Sequence, residues 1–80
     1  MGLRDTFAEN LRRVRLHRGY SQEALADLVG IDRTYVSALE RKRYAVSLDV
    51  LERIAATLNV APWRLLVESG EPSGPSDPRT

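Results

Sequence analysis

The stretch Ser21 to Arg43, SQEALADLVGIDRTYVSALERKR, constrains the fold more than any other part of the chain. It alternates helix-start and helix-stop signals so closely that it reads as two short helices folded tightly against each other around the turn Gly30-Ile31-Asp32. Ser21 is a good N-cap, since its hydroxyl can accept from an otherwise unpaired amide of the first turn, which Gln22 and Glu23 then occupy. Leu25, Ala26, Leu28 and Val29 fall on one side at helical spacing. Gly30 stands where a chain leaving a helix enters the left-handed region at no steric cost. Asp32 can cap a second helix at once. In that helix Val36 and Leu39 point inward, and Arg33, Thr34, Ser37 and Arg41 take the opposite side.

The flanks supply what such a pair needs in order to be buried. Phe7, Leu11 and Val14 follow the i, i+4, i+7 rule, so an amphipathic helix is expected from about Thr6 to Arg18. Thr6 and Glu9 have capping-box spacing, with Asp5 as a competing cap. Gly19 ends this helix, and Tyr20 offers an apolar ring just ahead of the Ser21 cap. After the connector Tyr44-Ala45-Val46, Ser47 caps a fourth helix striped by Leu48, Leu51, Ile54, Ala55 and Leu58. Asn59 is a left-handed terminator, and Pro62 suits the first position of a fifth short helix with Trp63, Leu65, Leu66 and Val67. From Ser69 onward the residues SGEPSGPSDPRT carry no large apolar side chain. The expected organisation is therefore a compact all-α domain of five helices over residues 1–68, followed by a disordered tail over 69–80.

Composition narrows the function. Eighty residues, 42% of them hydrophobic, make one small domain with a thin core. The absence of cysteine rules out disulfides, thiolate metal sites and a cysteine nucleophile, and suits a reducing cytoplasm. No apolar run approaches the roughly 20 residues that a bilayer span requires, so no membrane partner is expected. His17 is the only histidine. It has no partner for a metal site or a nucleophile–base pair, no glycine-rich phosphate loop exists, and a domain this small offers little concave surface. No catalytic residue, metal, cofactor or small-molecule ligand is expected. The charge is unevenly spread: residues 1–66 hold eleven Lys/Arg against eight Asp/Glu, a net of +3, and residues 67–80 hold one against three, a net of −2. Arg41, Lys42 and Arg43 are consecutive, which by itself fits an ordinary solvated helix end.

RVRLHRGYSQEALADLVGI, DRTYVSALER and SLDVLERIAATLNV, with glycine, SQ, LA, G, S and E at correlated spacings, resemble the helix-turn-helix domains of the lambda-repressor, Cro and Xre type. The likeness runs from Phe7 to Leu66. Within the family, the small controller proteins of restriction-modification systems are similar in length and in the run Asp-Arg-Thr-Tyr leading into a serine and a glutamate. The resemblance implies a cytoplasmic, homodimeric transcription regulator that binds a roughly palindromic double-stranded DNA operator, its recognition helix over about residues 32–41 in the major groove.

A helix of about 10–12 Å diameter fits a groove about 12 Å wide. Arg33 is the leading base reader, because a guanidinium can donate twice to guanine. Thr34 and Ser37 are suited to a base or a phosphate, and the Ala38 methyl to a thymine methyl. Tyr35 has two readings, a contact through its hydroxyl and packing beside Val36. The resemblance makes Gln22, beside Ser21, a phosphate clamp, against the plainer reading of a solvated first-turn residue. Arg41, Arg43 and Arg12 or Arg13 are expected on the DNA backbone.

By the same resemblance Arg15 and Glu40 form an ion pair joining the first and third helices. Trp63, Leu66 and Val67 are the expected dimer contact, with a core-capping role for Trp63 as the alternative. Lys42 replaces the glycine or asparagine that many relatives have there, and Val46 replaces a common proline, so the exit from the third helix is expected to differ. The competing functions are an interaction module or antitoxin-like adaptor of the same fold without operator binding, and nonspecific DNA packaging.

Overall fold

A computed structural model describes residues 2–68; the tail expected over 69–80 lies outside the described residues. Four α-helices, α1 (Leu3–His17), α2 (Gln22–Val29), α3 (Arg33–Glu40) and α4 (Leu48–Leu58), are followed by a 3-10 helix (Pro62–Leu66). No strand occurs among the described residues. The fifth helix is thus a 3-10 turn. Pro62 opens it, Arg64 N–H donates to the Ala61 carbonyl at 3.0 Å, and five residues are too few to build an α-helical ladder.

α1 starts a turn earlier than the Thr6–Glu9 box suggests. The Gly2 carbonyl accepts the first helical bond from Thr6 N–H at 3.0 Å, and the Asp5 carboxylate reaches back to Gly2 N–H at 3.3 Å. Thr6 itself lies one turn inside and is buried, which removes it as a cap. Gly19 (φ 83°) and Asn59 (φ 59°) turn left-handed after α1 and α4, as their positions predict. Ser47 Oγ accepts from Val50 N–H at 3.2 Å to start α4.

α2 and α3 pack on each other, α4 packs on α2, and α1 touches both α3 and the 3-10 helix. The shared core is Phe7, Leu11, Leu25, Ala26, Val29, Val36, Leu39, Leu51, Ile54, Ala55, Leu58 and Leu65. Two expected core residues are outside it. Leu28 is 59% exposed because Leu25, Ala26 and Val29 already define the buried arc of α2, and Leu28 falls about 110° from its centre. Leu48, the first residue of α4, is 78% exposed. Trp63 is also exposed, at 59%, with the Arg64 guanidinium 5.3 Å over its ring. Leu65 takes the buried place on that turn instead, so the core-capping role falls to it.

Side chains far apart in sequence tie the helix ends together. Asn10, 1% exposed, donates to the carbonyls of Leu65 (3.0 Å) and Val67 (2.6 Å) and accepts from Arg13 at 2.9 Å, fastening the C-terminal turn to α1. Arg18 Nε donates to the Leu58 carbonyl at 2.8 Å, placing a cation on the C-terminal end of α4, where the helix dipole favours it.

Candidate nucleic-acid interface

The turn between α2 and α3 is built from short-range bonds. Ser21 Oγ accepts from Ala24 N–H at 2.9 Å to start α2. Gly30 adopts φ 86°, and its amide and that of Ile31 both donate to the Ala26 carbonyl, at 2.8 and 3.0 Å. A side chain at position 30 meets strain from that φ and a contact as well, since a Cβ there would lie 3.1 Å from Arg53 Nη2. Asp32 Oδ1 then accepts from both the amide (2.9 Å) and the hydroxyl (2.7 Å) of Thr34. The hydroxyl first, then the amide, hold the Asp32 carboxyl below its ordinary 3.8, with the neighbouring Arg33 charge acting in the same direction.

This cap delivers α3 with Val36 and Leu39 fully buried and Arg33 and Thr34 exposed. Among the described residues no hydrogen bond holds the Arg33 guanidinium. The Thr34 hydroxyl spends its proton on Asp32, so toward a ligand it presents an acceptor. Ser37 is half-buried beside this face. Tyr35 is half-buried against the rim of the core, its ring centroid 6.4 Å from that of Tyr44 at a tilted 44°. Ala38 is only 6% exposed, which overturns the expectation that its methyl is available to thymine: it faces inward beside Leu39.

The end of α3 shows what Lys42 does in place of glycine. Lys42 takes φ 67°, its amide donates to the Leu39 carbonyl at 3.2 Å, and Arg43 N–H donates to the Ala38 carbonyl at 2.9 Å, the paired bonds of a Schellman stop. Lys42 Nζ lies 3.4 Å from Glu9 Oε2 across exposed surface. The Arg41 and Arg43 side chains stay in solvent, without a hydrogen bond among the described residues.

Behind the exposed face runs a polar seam. Arg15 Nε and Nη2 donate to the two oxygens of Glu40 at 2.6 and 3.0 Å, and Arg15 Nη1 donates to the Tyr20 carbonyl at 2.8 Å. The two side chains are 7% and 3% exposed. Gln22, the first residue of α2, donates one amide hydrogen to Glu40 Oε1 at 3.0 Å and keeps its second. The contact brings the start of α2 beside the last turn of α3. Arg12 is exposed on α1, whereas Arg13 is engaged by Asn10. Leu66 is half-buried and Val67 is 46% exposed on the C-terminal turn.

Sequence reasoning missed Arg53. From α4 its Nη2 donates to the carbonyls of Val29 (3.0 Å) and Gly30 (3.3 Å), while Nη1 donates to Asp49 at 3.2 Å. Only the Asp49–Arg53 i, i+4 spacing was visible in the sequence, and that reads as an exposed helix pair. No cluster of metal-ligating side chains exists among the described residues, and no helix there is long and apolar enough to cross a membrane.

Comparison with known proteins agrees with this geometry. The helix-turn-helix family profile matches residues 11–62. A hypothetical transcription factor of Neisseria meningitidis serogroup B is 49% identical over 69 residues, 86% of this chain and 65% of that protein, so the chain spans somewhat under two thirds of that relative. The crystal structure of the hypothetical transcription factor NHTF from Neisseria superposes with a TM-score of 0.84 at 48% identity, covering 89% of this chain and 82% of the other. Control protein C.SmaI of Serratia marcescens is 39% identical over 88% of this chain and 83% of its own length. The restriction-modification controller protein C.Esp1396I, crystallised as a tetramer with its natural 35 base-pair operator, superposes with a TM-score of 0.73 at 31% identity, covering 81% of this chain and 86% of the other.

Proposed function

The chain belongs to the helix-turn-helix family of Xre and Cro type, and from that premise we propose that it is a transcription regulator reading a specific double-stranded DNA operator as a homodimer. The observation that carries this reading is the orientation of α3. Its buried side is locked by Val36 and Leu39, and its Asp32 cap leaves Arg33 and Thr34 open to a groove. Arg33 donates to a guanine edge, Thr34 accepts from an exocyclic amine, and Ser37 and Tyr35 flank them. Gln22, through its second amide hydrogen, and Ser21, at the positive end of α2, meet phosphate. Arg41, Arg43 and Arg12 add phosphate contacts that position the domain without choosing sequence.

One short helix reads too few bases to pick a site from a genome, so two copies act together on half-sites about 34–36 Å apart. Exposed Trp63 and Val67, with half-buried Leu66, supply the apolar surface for pairing. The complex of C.Esp1396I with its natural operator supports the operator-binding part of this reading by kinship.

The test is selection of duplexes from a random library, followed by anisotropy titrations at several salt concentrations and sedimentation of the free protein. Specific binding with a steep salt slope and a dimer on the operator support the regulator. Absence of binding at low salt would point to an adaptor that keeps the fold alone, and binding indifferent to Arg33→Ala would point to packaging.

A further inference from the structure

α4 carries no proposed DNA contact, yet one of its side chains reaches the joint on which the recognition helix turns. Arg53 Nη2 lies 3.0 and 3.3 Å from two consecutive carbonyl oxygens, Val29 and Gly30, where α2 ends. Those carbonyls form the negative end of α2, so a guanidinium there is favoured by both charge and hydrogen bonding. Asp49 holds the other nitrogen at 3.2 Å and fixes the approach of the fork. Gly30 is the left-handed pivot, and its missing Cβ leaves the room the guanidinium uses. Two residues further on, Asp32 sets the first turn of α3. Rotation of the peptide planes at 29 and 30 therefore changes the direction in which Arg33 and Thr34 leave the domain.

We infer that Arg53 is a positioning residue for base recognition, clamping the Val29 and Gly30 carbonyls so that α3 enters the groove at one fixed angle. It acts through the turn and not by touching DNA. The inference rests on the proposed operator binding, but the clamp itself can be tested without DNA. Bidentate contacts tolerate little angular error, so a loosened turn costs selectivity before it costs attraction to phosphate.

The experiment compares the full chain with Arg53→Ala and Arg53→Lys. Hydrogen exchange of the Gly30 and Ile31 amides is referred to the Ile54 amide as a monitor of the core. In Arg53→Ala the two turn amides should exchange about tenfold faster relative to Ile54, as expected on losing a charge-assisted clamp. Affinity for a library-selected duplex should fall about tenfold relative to a scrambled duplex, with the salt slope unchanged. Arg53→Lys should recover part of both effects, since an ammonium can donate to the same carbonyls.

Unchanged exchange at the turn overturns the clamp. Faster exchange with unchanged selectivity overturns the recognition role and leaves a purely structural contact. Equal weakening on both duplexes with a slope smaller by about one means that Arg53 touches phosphate itself, which also overturns it. A wild-type chain that binds no duplex rejects the operator reading and the recognition role with it, while the exchange data still judge the clamp.

Discussion

The seam between α1 and α3 and the outer face of α3 use the same chemical groups, guanidinium, carboxylate and hydrogen-bonding side chains, at opposite degrees of saturation. In the seam Arg15 spends its donors on Glu40 and Tyr20, and Glu40 Oε1 accepts again from Gln22. On the outer face no hydrogen bond holds the guanidinium of Arg33, and Thr34 keeps its lone pairs, among the described residues. A buried polar group must be satisfied within the protein, whereas a group meant for a ligand must arrive with capacity unspent. The difference separates residues that hold the domain together from residues that face a partner, although both sets are charged and both lie on or against α3.

The largest expected effect comes from the seam. Glu40→Ala leaves the Arg15 guanidinium buried without its counter-charge and should lower the unfolding free energy by about 3–5 kcal/mol, read from urea denaturation. A loss below about 1 kcal/mol would mean that Arg15 reaches water after all, and the contrast with the outer face would fail.

Arg33→Ala is the counterpart. Its unfolding free energy should stay within about 0.5 kcal/mol of the parent, while affinity for a selected duplex should drop by about 1–3 kcal/mol relative to a scrambled one. Stability lost in step with affinity would show that Arg33 belongs to the fold.

Lys42→Gly sharpens the boundary between the two regions. The left-handed φ of 67° is strained for a residue with a side chain, and the Lys42–Glu9 contact given up is exposed. A gain of about 0.5–1 kcal/mol is expected in thermal melts.

The smallest effect concerns Asp32. Its folded pKa is depressed below 3.8, so the stability it contributes is fully present above that value and disappears as pH falls through the lower, folded one. A carboxyl titration by NMR should show Asp32 titrating lower than in an unfolded peptide. Thr34→Val, which removes the largest cause, should move it back up; no movement would dissociate the cap from the shift.

The parts of the fold legible in the sequence were those set by neighbours in the chain. Ser21 and Ser47 bond to amides three residues on, Asp32 bonds to Thr34 two residues on, and Gly30 and Asn59 take their left-handed turns where the apolar periodicity ends. Periodicity located Val36 and Leu39 beneath α3 but misjudged Leu28, Leu48 and Ala38, because a helical repeat defines a stripe and packing decides how wide the buried part of it is. The Arg15 and Glu40 pairing was suggested by kinship alone; a separation of 25 residues carries no local signature.

Sequence by itself determined where α2, α3 and α4 begin to turn and which side of α3 is apolar, since caps, glycine conformations and side-chain periodicity act within a few bonds. Only the tertiary structure decided that Arg53 grips the end of α2, that Asn10 fastens the C-terminal turn, and that Trp63 faces solvent with Leu65 buried in its stead. Those outcomes depend on which carbonyls and which gaps the packed helices bring within about 3 Å of a side chain, a distance that exists only once the chain has closed on itself.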